Sequence, residues 1–288
     1  MSRIAYVNGD FVPLEDAKVS VLDRGFLFAD GIYEVTAVVD GIYFDMGGHL
    51  DRLERSCREI NLDLPLSRAE IEQLHVDLAE RNGLTEGIIY LQVTRGTGER
   101  DFPFPEAAKP SLVMFTQDKN LKQNPAAETG VTVISVDDLR WKRRDIKSVA
   151  LLAQVLAKQA AAEKGAAEAW MVEDGYVTEG GSSTSFIVSK DGTLVTRPLS
   201  NAVLPGITRQ SVLALVEETG IAFEERLFTL DEAYAAQEAF LTSASTFVLP
   251  IIEIDGRKIG DGVPGPVAKR LRTLYLETAL DRRPEAAE

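Results

Sequence analysis

Hydrophobic and polar positions along this chain fall into short alternating runs and amphipathic stretches, mixed over its whole length. Ile4-Ala5-Tyr6-Val7 and Asp10-Phe11-Val12 flank Asn8-Gly9, and that pair suits the two positive φ angles of a tight hairpin. Asp23-Arg24-Gly25 reads as a turn. Phe26-Leu27-Phe28 then leads into a β-branched run over residues 30–39, expected as a strand with one face in the core. Gly41 turns that strand, and Tyr43-Phe44 starts the return. From His49 to Ile60, Leu50, Leu53, Cys57 and Ile60 recur at spacings of three and four, the stripe of an amphipathic helix. A second helix, Arg68 to Asn82, is bracketed by a Ser67 cap with Glu70 behind it and by Gly83. Strands are expected at 88–94 and 112–115, with a proline-interrupted loop between them.

Residues 117–130 are polar and carry no periodicity, so the domain boundary is placed there. The division is a smaller N-terminal α+β domain over 1–120, a linker over 121–128, and a larger C-terminal α+β domain over 129–288. The second part is expected to hold strands at 131–134, 169–172, 176–177, 185–189, 193–196, 238–242 and 250–254. A long helix should start at a Ser148 cap, with Val149, Leu152, Val155 and Leu156 on its apolar face. Further helices are expected at about 208–219 and 265–280, before a charged, frayed tail. Strands and helices mix in both halves with several hairpins, which points to an α+β fold rather than a doubly wound sheet.

Composition narrows the partners. At 45% hydrophobic and 26% charged residues the chain can build a core and is not a disordered protein. A formal charge of −14 argues against nucleic acid and anionic membranes, and means that any anion site must be built locally. One cysteine, Cys57, allows no internal disulfide, and two histidines make a Cys/His metal cluster implausible. No apolar run is long enough to span a membrane, and the first residues do not form a signal peptide, so a cytoplasmic location is expected.

Within that acidic chain Lys147 follows Arg140, Lys142, Arg143 and Arg144 and ends an extended piece. Taken alone it is one more surface lysine. Four other features suit an anion. Gly206-Ile207-Thr208-Arg209 follows Leu204-Pro205 and opens a helix, where free amides and the dipole favour negative charge. Thr242-Ser243-Ala244-Ser245-Thr246 places small hydroxylic residues after an apolar strand. Arg52 and Arg100 add cations. The first three have plainer readings: a capped helix, a turn, a weak surface ion pair from Arg52 to Glu54 or Glu59. Glu179 stands in Thr178-Glu179-Gly180-Gly181-Ser182-Ser183, a run that suits a partly buried carboxylate with a cationic partner, or else a glycine-rich surface loop. Together they fit one ligand. A lysine serves an aldehyde, a carboxylate serves a pyridinium nitrogen, and amides, hydroxyls and an arginine serve a phosphate, which describes pyridoxal 5′-phosphate.

At these residues the chain resembles a known family. The stretches are D-R-G-F-L-F-A-D-G-I-Y-E-V at 23–35, H-L-D-R-L-E-R-S at 49–56, Q-V-T-R-G-T at 92–97 and L-R-W-K-R-R-D-I-K-S at 139–148. They continue with L-A-K-Q-A at 156–160, V-T-E-G at 177–180, L-P-G-I-T-R at 204–209 and P-I-I-E-I-D-G at 250–256. In order, and over nearly the whole chain, they resemble the fold-type IV pyridoxal-phosphate enzymes, and among these the D-amino acid (D-alanine) aminotransferases. The resemblance implies a two-domain α+β fold and transfer of an amino group from a D-amino acid such as D-alanine to a 2-oxo acid such as 2-oxoglutarate. It implies that Lys147 is the Schiff-base lysine and that Glu179 holds the pyridinium nitrogen protonated. Arg52, the amides of Ile207 and Thr208 after Gly206, the Thr208 hydroxyl and the loop Ser243-Ala244-Ser245 would bind the phosphate, with Leu204 by the ring. Tyr33 and Arg100 would take the substrate carboxylate, Arg100 reaching the neighbouring subunit's site in a homodimer. Two positions depart from the family pattern. Phe102 stands where a histidine donor is expected, and Ala244 where relatives carry a hydroxyl. Within the same fold a branched-chain L-amino acid aminotransferase, an (R)-amine transaminase and an aminodeoxychorismate lyase share the cofactor residues; a non-catalytic phosphate-binding dimer is the reading from another class.

Overall fold

A computed structural model describes residues 2–281, so the expected frayed tail lies outside the described residues. The chain forms two compact units. One comprises the residues up to Asn120 together with Ile146–Ala150; the other comprises Leu121–Asp145 and the residues from Leu151 on.

The first unit holds β1 (Ile4–Val7), β2 (Asp10–Pro13), α1 (Arg24–Phe28), β3 (Gly31–Val39), β4 (Ile42–Tyr43), α2 (Met46–Glu59), α3 (Arg68–Asn82), β5 (Glu86–Thr94) and β6 (Ser111–Asp118). Its six strands form one antiparallel sheet in the order β2-β1-β6-β5-β3-β4. Asn8 and Gly9 take the positive φ angles expected of the first hairpin, 50° and 111°. The α2 stripe of Leu50, Leu53 and Cys57 and the α3 residues Ile71, Leu74 and Leu78 pack with Ile32, Ile89, Leu91 and Val93 of the sheet. α3 has the expected ends: Ser67 and Glu70 close a capping box, and Gly83 follows in the left-handed region. Residues 24–28 are a short helix rather than a turn, because the Asp23 side chain accepts the Gly25 N–H at 2.8 Å and caps it.

The second unit holds α4 (Pro125–Thr129), β7 (Val131–Asp137), α5 (Leu152–Glu163), β8 (Glu168–Glu173), β9 (Tyr176–Gly180), β10 (Thr184–Val188), β11 (Leu194–Thr196), α6 (Ile207–Thr219), β12 (Phe223–Glu225), α7 (Leu230–Tyr234), β13 (Glu238–Ser243), β14 (Phe247–Ile254), β15 (Arg257–Lys258) and α8 (Pro266–Asp281). The sheet runs β12-β11-β10-β13-β14-β7-β8-β9, with β15 beside β14. Three pairings are parallel, β11 with β12, β14 with β7 and β7 with β8. Trp170, Ile187, Phe228, Leu241 and Ile251 are in its core.

Three expectations need correcting. Residues 121–128 are not a linker: Leu121 is buried, α4 starts at Pro125 under an Asn124 cap, and Ala127 joins the core of the second unit. The segment with Lys147 groups with the first unit rather than the second. The helix after it begins at Leu152, not Ser148. The reason is a tertiary pairing that local propensity does not contain. Ser148 bridges to Ile32, the Tyr33 N–H donates to the Lys147 carbonyl at 3.1 Å, and the Val149 N–H donates to the Gly31 carbonyl at 3.0 Å. α5 then buries its small residues Ala157 and Ala161, which leaves Leu152, Val155 and Leu156 exposed instead of forming a core face.

Candidate active site

The sequence-predicted residues divide between the units. In the first, the extended segment along β3 fixes the Lys147 backbone, which also takes a 3.3 Å hydrogen bond from its N–H to the Ser56 hydroxyl. The half-buried side chain lies over Tyr33, with Nζ 4.0 Å from the ring centroid. No carboxylate pairs with it among the described residues. Alternation along β3 separates Tyr33 from its neighbours Ile32 and Glu34, which are both buried. Tyr33 stacks on Tyr90 of β5 at 5.7 Å.

Arg52 is buried on α2 rather than lying on its solvated surface. It forks onto Glu34, with Nε 2.7 Å from Oε1 and Nη2 2.8 Å from Oε2. His49, one turn earlier on α2, places Nδ1 2.8 Å from the same carboxylate. Arg52 and His49 hold the buried Glu34 carboxyl well below the usual range, outweighing the cost of removing it from water. Arg100 and Phe102 stand on the exposed loop between β5 and β6. The Arg100 guanidinium is 5.4 Å from the Phe28 ring and 6.0 Å from the Phe102 ring, and no hydrogen bond joins it to Tyr33.

In the second unit Glu179 is part of β9 and is buried, not on a surface loop. Its carboxylate accepts the Leu204 N–H at 3.1 and 3.2 Å and is bound by Arg140 Nη1. Arg140 also forks onto Asp138, at 2.9 and 2.7 Å, and the Thr178 hydroxyl donates to Asp138 at 2.6 Å. Burial pushes the Glu179 carboxyl up; Arg140 and the Leu204 amide oppose that push without cancelling it. A cation added at Glu179 would therefore find a carboxylate whose ionised form still lacks full compensation.

Gly206 caps α6 with no side-chain hydrogen bond, so the Ile207 and Thr208 amides open the helix without an intrahelical partner. A Cβ at Gly206 would lie 2.7 Å from Thr184 Oγ1, so only glycine lets this turn sit so close. Thr184 faces Thr242 across the β10–β13 pair, and the buried Thr242 hydroxyl has no hydrogen-bond partner. In the next turn Ser243 Oγ lies 2.8 Å from Thr246 Oγ1 and 3.4 Å from Ser245 Oγ, while Ala244 adds no hydroxyl.

Sequence reasoning passed over Glu34, His49, Asp138, Arg140 and Thr178. Glu34 alternates with Tyr33 on one strand, and Thr178 adjoins Glu179, so both could have been sought as neighbours of named residues. Nothing local marked Asp138 and Arg140 as partners of a residue 39 positions from Arg140.

Residues 31–254 match the family model described as Amino-transferase class IV. D-alanine aminotransferase of Bacillus licheniformis is 41% identical over 273 residues, covering 95% of this chain and 96% of that protein. D-alanine aminotransferase of Staphylococcus aureus (strain MSSA476) is 41% identical over 93% of this chain and 94% of its own length. Among solved structures, the T.th. branched-chain amino acid aminotransferase with pyridoxamine 5′-phosphate superposes with a TM-score of 0.90 at 28% identity, covering 99% of this chain and 96% of its own. The Escherichia coli branched-chain enzyme reaches 0.91 at 24% identity, covering 99% and 97%, which is a likeness of fold.

Proposed function

The chain belongs to the class IV amino-transferase family, and from that premise we propose that it moves the amino group of a D-amino acid such as D-alanine to a 2-oxo acid such as 2-oxoglutarate. The observation that carries this reading is the Lys147 amine, held over Tyr33 by a backbone pairing and left without a carboxylate partner among the described residues. It is an aminotransferase and works with pyridoxal phosphate. The residues fit that group. The orphaned Thr242 hydroxyl, the uncapped α6 start and the Cβ-free Gly206 suit a phosphate, and Glu179 suits a ring cation.

We assign Arg52, Gly206 with the Ile207 and Thr208 amides, the Thr208 hydroxyl and the Ser243–Ser245 turn to the phosphate, Leu204 to the ring's surroundings, and Glu179 to the ring nitrogen. Bound pyridoxal phosphate supplies an electron-withdrawing ring and carries the amino group between the two substrates. Lys147 Nζ would hold the aldehyde end and, once the substrate's own amine has displaced it there, would be free as the base that takes the α-proton. Glu179, kept in place by Arg140 and the Leu204 amide, keeps a proton on the ring nitrogen. Tyr33 and Arg100 take the substrate carboxylate, and Phe102 adds apolar surface where a second donor would stand. The exposed α5 residues Leu152, Val155 and Leu156 support a homodimer, and a lone buried thiol, Cys57, suits the cytosol.

The test is a donor panel: D-alanine, L-leucine and (R)-1-phenylethylamine, each with 2-oxoglutarate, scored by glutamate formed. D-alanine should be fastest. Faster turnover of L-leucine would give the branched-chain reading, with which the similar solved structures are consistent, and faster turnover of the amine would mean that no carboxylate grip operates.

A further inference from the structure

We propose that Arg24, held by Asp30, is a positioning residue for Arg100: the Asp23-Arg24-Gly25 segment latches the loop that carries Arg100 and thereby sets how strongly a substrate carboxylate is gripped. This rests on the reading of Arg100 as the carboxylate's partner.

Residues 99–104 are all exposed, so the loop has little apolar anchorage of its own. What it has instead is a buried guanidinium. Arg24 is 3% exposed, and its Nε donates to Asp30 at 2.8 Å. Nη1 donates to the carbonyls of Asp101 at 2.6 Å and Pro103 at 3.3 Å, and Nη2 to that of Phe102 at 3.2 Å. Three consecutive carbonyls immediately after Arg100 are thus turned onto one planar fork. This fixes the Phe102 backbone while its side chain faces outward against Phe28, with ring centroids 5.5 Å apart.

Asp30 is shared with a second arginine. Arg95 forks onto it at 2.8 and 3.0 Å and lays its guanidinium 3.5 Å from the centroid of the Phe104 ring. One carboxylate therefore orients two cations, one holding the loop by its backbone and the other by an aromatic face. The base of the loop is tied to the same segment. Arg24 N–H donates to the Gly96 carbonyl at 2.9 Å, and Thr94 Oγ1 donates to the Asp23 carboxylate at 3.0 Å. A Cβ on Gly25 would fall 2.3 Å from Thr94 Cγ2, so the close approach requires glycine there. A lysine at 24 would keep the charge and lose the fork, because an ammonium cannot serve three carbonyls and Asp30 in one plane.

The test uses holoenzyme and two reagents that bleach its visible absorbance, aminooxyacetate, which carries a carboxylate, and O-methylhydroxylamine, which does not. The ratio of their second-order rates measures the grip. In Arg24→Lys and in Asp30→Asn the ratio should fall about tenfold, while the O-methylhydroxylamine rate stays within about twofold. In an Arg100→Ala background neither change should lower the ratio further. An Arg24→Lys holoenzyme with the wild-type ratio, alongside an Arg100→Ala enzyme that has lost it, overturns the latch. An Arg100→Ala enzyme that keeps the ratio removes the assignment of Arg100 itself, and the latch with it.

Discussion

Residues 140–144 and residue 147 look alike in the sequence, a cationic cluster with one more lysine behind it, and they are opposites in the structure. Arg140 pairs with Asp138 and Glu179, and Arg144 pairs with Glu173, all with well-buried guanidinium groups. Arg143 forks onto Asp145. Lys147 lies over an aromatic face with no carboxylate. A buried arginine that finds its fork is spent on structure, because losing either partner strands a charge. An amine without a carboxylate partner is free to change protonation and to bond covalently. What separates the two is the backbone around Lys147, which is extended along β3.

The largest expected effect strikes Lys147. Lys147→Ala should lose the visible absorbance of the bound cofactor and at least about 1,000-fold in turnover, yet leave the unfolding free energy of the cofactor-free protein within about 0.5 kcal/mol of the parent's. A variant that keeps its activity would end the assignment. The reverse pattern is expected at Arg144. Its guanidinium makes a 2.8 Å pair with Glu173 and lies 3.3 Å from Asp138, so Arg144→Met leaves carboxylates short of a partner. The cofactor-free protein should lose about 3 kcal/mol in urea unfolding. If Arg144→Met unfolds like the parent, the structural half of the comparison is wrong.

How much of this was legible follows from where each signal lives. α3 could be bounded to the residue because both its ends are local: a capping box at Ser67 and Glu70 and a left-handed glycine at Gly83. The cofactor assignments could be made by chemistry and resemblance, since Glu179, Gly206 and the Ser243 turn stand in short self-contained runs. The start of α5 could not. Ser148 has a good capping side chain, but its backbone is claimed by β3, more than a hundred residues earlier. The apolar spacing of Leu152, Val155 and Leu156 is real and marks an exposed face instead of a core, a difference that periodicity cannot tell. Asp138 and Arg140 were hidden because a charge network has no period. Arg24 shows in the sequence only as the middle of a turn and of a matching stretch, and its partners, the carbonyls of 101–103, carry no side-chain signature at all.

The smallest expected effect sharpens the comparison by acidity. Arg144 and Lys142 lower the Glu173 carboxyl from 4.5 to about 2, the Arg144 hydrogen bonds contributing most. A carboxyl lowered on folding binds its proton more readily in the unfolded chain. Its contribution is therefore complete above about pH 4.5 and is lost as pH falls through about 2. Glu173 remains partly open to water, so solvent screening keeps that contribution modest. Unfolding free energy measured from pH 6 downward should fall more gently in Glu173→Gln than in the parent, with the two curves converging at the acid end. Lys147 makes no ion pair among the described residues, so Lys147→Met is the control whose curve should run parallel to the parent's. Parallel curves for Glu173→Gln as well would mean that Arg144 gains nothing from the carboxylate it touches, and that the contrast between the arginines and the lysine is one of geometry alone.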